Sequence, residues 1–179
     1  MDFAYIIFIL TILVAVLVLL FSKIRNKPLN KKRIVKTFLL SFLVISVGIG
    51  SIWAFIGHLF LSEQVAASIG WVAGSPFQLE VAFANLAIGV LGILCYWIRG
   101  NFWTATVIVN SIFLLGDAYV HVINMLQFAN YAPGNAGSVL YMDIIGPVIL
   151  IILLVAYKTM EKEAIKNSIK SIENSLNND

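Results

Sequence analysis

Residues 3–21 read FAYIIFILTILVAVLVLLF, nineteen positions with no charge and little polarity beyond Thr11. A helix rising about 1.5 Å per residue makes this run long enough to cross roughly 30 Å of bilayer hydrocarbon. A cleaved secretory leader fits poorly. The positive charges follow the apolar run instead of preceding it, and no small-residue cleavage pattern comes before Ser22-Lys23-Ile24-Arg25. The stretch is therefore expected to be an uncleaved anchor with its N-terminus outside the cell.

Four further apolar stretches follow, at 37–61, 76–98, 102–126 and 139–157. Together the five account for a composition that is 60% hydrophobic and only 12% charged over 179 residues, with mean hydropathy +0.94. Soluble domains carry about a quarter charged residues, so soluble enzyme folds and nucleic-acid modules are excluded. The expected fold is an all-α polytopic bundle of five transmembrane helices in residues 1–157, followed by a charged cytoplasmic tail at 158–179. Ser75-Pro76-Phe77-Gln78 offers a cap Ser, a Pro at the first helical position and a Gln three residues on, a start signal for the third span. Gly100-Asn101 is expected to end that span and cap the next, as a tight hairpin.

All twelve Lys and Arg fall in three segments. Lys23, Arg25, Lys27, Lys31, Lys32, Arg33 and Lys36 follow the first span, Arg99 follows the third, and Lys158, Lys162, Lys166 and Lys170 follow the fifth. Five spans put these segments on one side, which the positive-inside rule makes the cytoplasm of a cell (inner) membrane. The outer segments, 62–75 and 127–138, have no Lys or Arg and carry Trp71, Phe128 and Tyr131, as an interfacial belt would. The net charge of +3 points to the lipid bilayer and its anionic headgroups as partners, not to nucleic acid. Beyond Tyr157, Ile165, Ile169, Ile172 and Leu176 recur at helical spacing. The fifth helix is expected to continue as an amphipathic segment that lies on the membrane or pairs with its copy in a homo-oligomer, fraying at Asn177, Asn178 and Asp179. Cys95, alone, excludes an internal disulfide or thiolate zinc site and reads as core filler.

Ionisable groups at membrane depth are functional candidates. Measured from the outer helix ends, His58 lies at ~5 Å, Glu80 and Asp143 at ~6 Å, His121 at ~8 Å, and Asp117 and Asn85 at ~13 Å. All fall in the outer half, so a polar vestibule is expected there, closed below by apolar packing. Asn110, Asp117, His121 and Asn124 share one face of the fourth span, with Asp117 and His121 a turn apart. Ser46, Gly50, Ala54 and His58 form a small-residue stripe on the second span, and Ala82, Asn85, Gly89 and Gly92 a comparable one on the third. The first span shows no such face and is expected to be a peripheral addition to a four-helix core. Pro147 denies an amide proton to the Asp143 carbonyl and predicts a kink.

The candidate ligand-binding set is therefore His58, Glu80, Asn85, Asp117, His121, Asn124 and Asp143, with histidine protonation near neutral pH tuning occupancy. No cofactor is indicated. A metal, if held, would fall to His58, His121 and Asp117, although neither HExxH nor a paired Glu-x-x-His occurs. Three uses are open: binding or translocating a small solute, cation or protons; metal-dependent chemistry on a lipid or quinone-like substrate; or an accessory subunit whose polar groups only staple helices. Gly70-Trp71-Val72-Ala73-Gly74 and Ala132-Pro133-Gly134-Asn135-Ala136-Gly137 read as turns or lids.

The stretches Gly70-Trp71 through Glu80, Asn85-Leu86-Ala87-Ile88-Gly89, Gly116-Asp117 with His121, and Asn130 through Gly137 resemble a family of small prokaryotic multi-pass membrane proteins of unassigned function. The likeness spans residues 70–147 and implies a polytopic membrane protein, with no activity to carry over. A fainter likeness to DoxX-like four-helix membrane proteins concerns fold alone.

Overall fold

The computed structural model describes residues 3–176; the fraying expected at Asn177, Asn178 and Asp179 lies outside them. Seven helices follow in order: α1 (Phe3–Ile24), α2 (Lys31–Phe60), α3 (Ser62–Ile69), α4 (Pro76–Leu94), α5 (Asn101–Phe128), α6 (Pro133–Ala136) and α7 (Ser138–Leu176). Five of them, α1, α2, α4, α5 and α7, are long and apolar enough to cross a membrane. The short α3 and α6 sit in the two connections that lack Lys and Arg. Much apolar surface stays exposed along the long helices, Phe21, Ile112 and Ile152 among it, as helices facing acyl chains require.

The bundle is built from two extensive pairs, α2 with α4 and α5 with α7, joined where α7 crosses the first half of α2. The glycine stripe of α4 makes the first pair. A Cβ on Gly92 would stand 2.5 Å from the Gly48 nitrogen and 2.6 Å from its Cα, and one on Gly89 would stand 3.0 Å from the Ile52 nitrogen. The backbones therefore touch, which only small residues permit. The matching row on α2 is Gly48 and Ile52. Ser46, Gly50 and Ala54, expected to receive a neighbouring helix, line a cavity, and of the three Gly50 also lies against Ile7 of α1. A π-helical stretch, Phe42–Ile49, lies in the middle of α2. Its i→i+5 bonds wind the chain more slowly and rotate the face beyond it.

Three further expectations are corrected. The first helix does have a packing face: Ile7, Thr11 and Ala15 recur every four residues, are buried, and set α1 against α2 and α7. The third span ends at Leu94, four residues early, because Cys95, Tyr96 and Trp97 form turns whose Cys95 carbonyl accepts from Trp103 Nε1 at 2.8 Å. Gly100, at φ 72°, is itself the cap of α5, and Asn101 is the first helical residue, close to Lys158. Ser75 and Pro76 do start α4, but the capping box is not made. Gln78 donates to the Ser62 carbonyl at 2.8 Å, tying α4 to α3.

At the basic end the core is apolar, with Leu39, Leu43, Trp103, Val107, Leu154 and Tyr157 packed together. The helix α7 runs unbroken through Pro147 and on to Leu176, and Ile165, Ile169, Ile172 and Leu176 remain exposed along the tail.

Candidate functional site

The end that lacks Lys and Arg is organised by one asparagine. The chain leaves α5 through Ala129 in left-handed conformation and turns back at Asn130, whose Nδ2 donates to the Ile69 carbonyl at 2.9 Å. Gly70, at φ 78°, makes room for that side chain. Asn135, fully buried on α6, then donates through Nδ2 to the carbonyls of Asn130 at 2.8 Å and His121 at 3.2 Å. Both partners can only accept, so the amide orientation is settled, and Asn135 Oδ1 must accept from His121 Nδ1 at 2.8 Å.

That contact fixes the imidazole. With Nδ1 carrying a proton toward Asn135, Nε2 faces Asp143 Oδ2 on α7 at 3.8 Å. A neutral imidazole would set a lone pair against a carboxylate oxygen; one proton, on either group, turns the opposition into attraction. Asp117 lies near enough for its charge to act on Asp143 but has no hydrogen bond to His121. The expected Asp117–His121 partnership is thus replaced by His121–Asp143, because the ring is turned toward α7 by Asn135.

Beside this pair lies a cavity of about 460 Å³, lined more by apolar than by polar surface, between α1, α2, α5 and α7. From Ser138 to Leu150 it follows α7 for roughly 18 Å. Asn85, Asn110 and Asp143 contribute to its wall, with Ser46, Ser51 and Ser68. Asn85 Nδ2 is spent on the Val81 carbonyl at 3.0 Å. Asn110 Nδ2 and Asp143 Oδ2, by contrast, are buried with no hydrogen-bond partner. Gly146 opens the wall one turn from Asp143, with nothing near the place a Cβ would take.

The remaining candidates are placed elsewhere. His58 is half-buried next to Gln78 Nε2 at 3.5 Å, in a smaller pocket of about 210 Å³ that it shares with Trp71 and Phe77. Glu80 is exposed. Asn124 accepts from Trp71 Nε1 at 3.2 Å and donates to the Val120 carbonyl. Among the described residues no three of His, Cys, Asp or Glu come together, so His58, His121 and Asp117 are not brought to one point as a ligand set. Trp71, expected in an interfacial belt, stacks on His121 with ring centroids 6.0 Å apart. It also lines the His58 pocket, so the two imidazoles sit on either side of one indole-centred wall.

Sequence reasoning passed over Asn110 as a primary contact and placed Asn130 and Asn135 in a turn or family motif without giving either a part in the site. The signal for the last two was a loop rich in Asn and Gly between apolar spans. It reads as a turn until its side chains are seen to supply the hydrogen bonds the loop lacks.

Neither a curated protein nor a solved structure matches the chain. The resemblance seen in residues 70–147 widens: a model described as a family of unknown function (DUF6790) matches residues 1–163, so α1, the basic first connection and most of α7 are part of the shared pattern, and the chain belongs to that family.

Proposed function

We propose that this is a multi-pass protein of the cell membrane that binds a small polar solute or cation in the cavity beside His121 and Asp143. Entry of the ligand is coupled to the proton the pair holds. The observation that carries this reading is that Asp143 and Asn110, each with a buried side-chain atom that makes no hydrogen bond, stand among the residues lining the cavity, with Asp143 also facing His121. A buried polar atom without a partner costs about 1–3 kcal/mol, and a ligand offering a donor or positive charge to Asp143 and an acceptor to Asn110 removes both penalties. With no Lys or Arg on the cavity wall, a cation or a proton is the natural counter-charge for Asp143. The apolar cluster of Leu43, Trp103 and Val107 beyond the cavity favours binding over an open pore.

The proposed orientation puts the N-terminus, α3 and α6 outside and the basic segments in the cytoplasm, so the cavity takes its ligand from outside. Of the original candidates, Asn85, Asp143, His121 and Asp117 belong to this reading. His58, Glu80 and Asn124 stand outside it, and so does metal-dependent chemistry.

The test is calorimetric titration of purified protein with sodium, potassium and small alkylammonium ions, with proton release followed in weak buffer. Binding with release of a proton is expected. Asp143→Asn should abolish the proton release and weaken binding about tenfold or more, the worth of a hydrogen bond to a charged group. Unchanged binding and proton release in Asp143→Asn refute the proposal. A purely structural use is favoured on one side of the site by the Asn135 network, whose bonds are all internal. Loss of thermal stability in Asp143→Asn, with nothing bound under any condition, would select that reading instead.

A further inference from the structure

A second and larger cavity, about 670 Å³, lies at the basic end, between α1, the first half of α2 and the turn that precedes α5. Five cations border it: Lys27, Lys32, Arg33, Lys36 and Arg99. No carboxylate lines it. Among the described residues the ion pairs are His121–Asp143 and Lys158–Glu161, so none of the five is paired with an acid. Glu161, whose field reaches Lys36, is engaged by Lys158 and by the Tyr157 hydroxyl. One guanidinium nitrogen of Arg33 donates to the Pro28 carbonyl, a neutral acceptor.

The first turn of α2 sharpens the imbalance. Lys31, Lys32 and Arg33 occupy it with no acid, at the positive end of the helix dipole, where cations are disfavoured. An anion seated among them relieves both repulsions.

Below the cations the wall changes in a definite order. Along α2 come Lys32, Arg33 and Lys36, then Thr37, Leu40 and Ser41, two hydroxyls with a leucine between them, and last Val44 and Ile45. On the facing side the same order runs in reverse sequence, from Lys27 in the connection to Ser22, Val18 and Val14 on α1. Over roughly 20 Å the cleft passes from charge to hydroxyl to hydrocarbon. That is the order of a phospholipid: phosphate, glycerol esters, acyl chain.

We propose that this cleft binds one anionic phospholipid, its phosphate held by Lys32, Lys36 and Arg99 and its acyl chain laid along Val14, Val18 and Val44. A free inorganic anion uses the cations and leaves the apolar strip uncovered. A zwitterionic lipid brings a quaternary ammonium into a site that already carries five positive charges. Basic pockets between membrane helices are suited to anionic headgroups, each nearby Lys or Arg contributing about fivefold in affinity.

The test uses the purified, delipidated full chain and native mass spectrometry with phosphatidylglycerol, phosphatidylcholine and inorganic phosphate. Retention of one phosphatidylglycerol in preference to phosphatidylcholine, not displaced by phosphate, is expected. The Lys32→Gln, Lys36→Gln, Arg99→Gln triple variant should lose about a hundredfold in affinity, whereas Lys162→Gln with Lys166→Gln in the tail should not change it. Lys36→Arg alone should keep binding. Equal retention of phosphatidylcholine, displacement by phosphate, or an unaffected triple variant overturns the proposal. Should the triple variant fail to fold, by circular dichroism, a diazirine-bearing phosphatidylglycerol on the unaltered chain decides the matter. Label on 14–22 and 37–45 supports the cleft, and label confined to other segments rejects it.

Discussion

Asn135 spends its whole amide inside the protein, on His121 Nδ1, the His121 carbonyl and the Asn130 carbonyl. Its removal therefore leaves one donor and two acceptors to find other partners in a buried place. Asn135→Ala is expected to destabilise by about 3 kcal/mol or more, read as a lowered midpoint in detergent-solubilised unfolding. It should also free the imidazole to rotate, so that proton release on ligand binding becomes variable or is lost; a variant with unchanged midpoint would remove Asn135 from its organising place. His121 and Asp143 were legible as candidates because an ionisable group in an apolar run stands out. Their partnership was not. Spacing along one helix pairs Asp117 with His121, whereas the orientation of a ring depends on what lies across from it, here a loop asparagine and a carboxylate on α7.

At the scale of elements, the close seam between α2 and α4 rests on two backbones in contact. A methyl on Gly92 meets Gly48 backbone atoms, which cannot step aside as a side-chain tip can. Gly92→Ala should cost about 1–3 kcal/mol through forced separation of the helices. Gly116→Ala, with nothing within 4 Å of the added methyl, should be neutral or mildly stabilising. Parallel thermal-shift measurements check both; equal midpoints for the two variants contradict the seam. The stripe on α4 was readable from its small residues. Which row of α2 it meets was not, because a helical wheel assumes i→i+4 bonding throughout, and the π stretch Phe42–Ile49 breaks that assumption in mid-helix.

Over the whole molecule, two cavities of different chemistry sit at opposite ends of the bundle. One is bordered by Asp143 and Asn110, the other by five cations. This polarity makes orientation testable. With Cys95 fully buried and so protected, Ser75→Cys and Ser168→Cys place single reactive thiols at the two ends. In intact cells a membrane-impermeant maleimide should label Ser75→Cys, and Ser168→Cys only after permeabilisation. The opposite pattern reverses the proposed topology and turns the Asp143 cavity toward the cytoplasm. The first helix also changes standing at this scale. An apolar run with no evident small-residue face was expected to be peripheral, yet Phe3, Ile7 and Phe8 close one side of the Asp143 cavity.

Sequence alone determined what depends on composition and local periodicity: five long apolar helices, their order, the segregation of every cation to one set of connections, and the ionisable residues carried into the apolar runs. These follow from the cost of burying charge or bare backbone in hydrocarbon, which acts residue by residue. Tertiary structure alone decided who meets whom. His121 turned to Asp143, Trp71 closed over the imidazole, Glu80 faced outward, and a π turn set which face of α2 lines the cavity. Those outcomes depend on helix rotation and on a loop folding back. Residues far apart in the chain set both, and no local pattern encodes them.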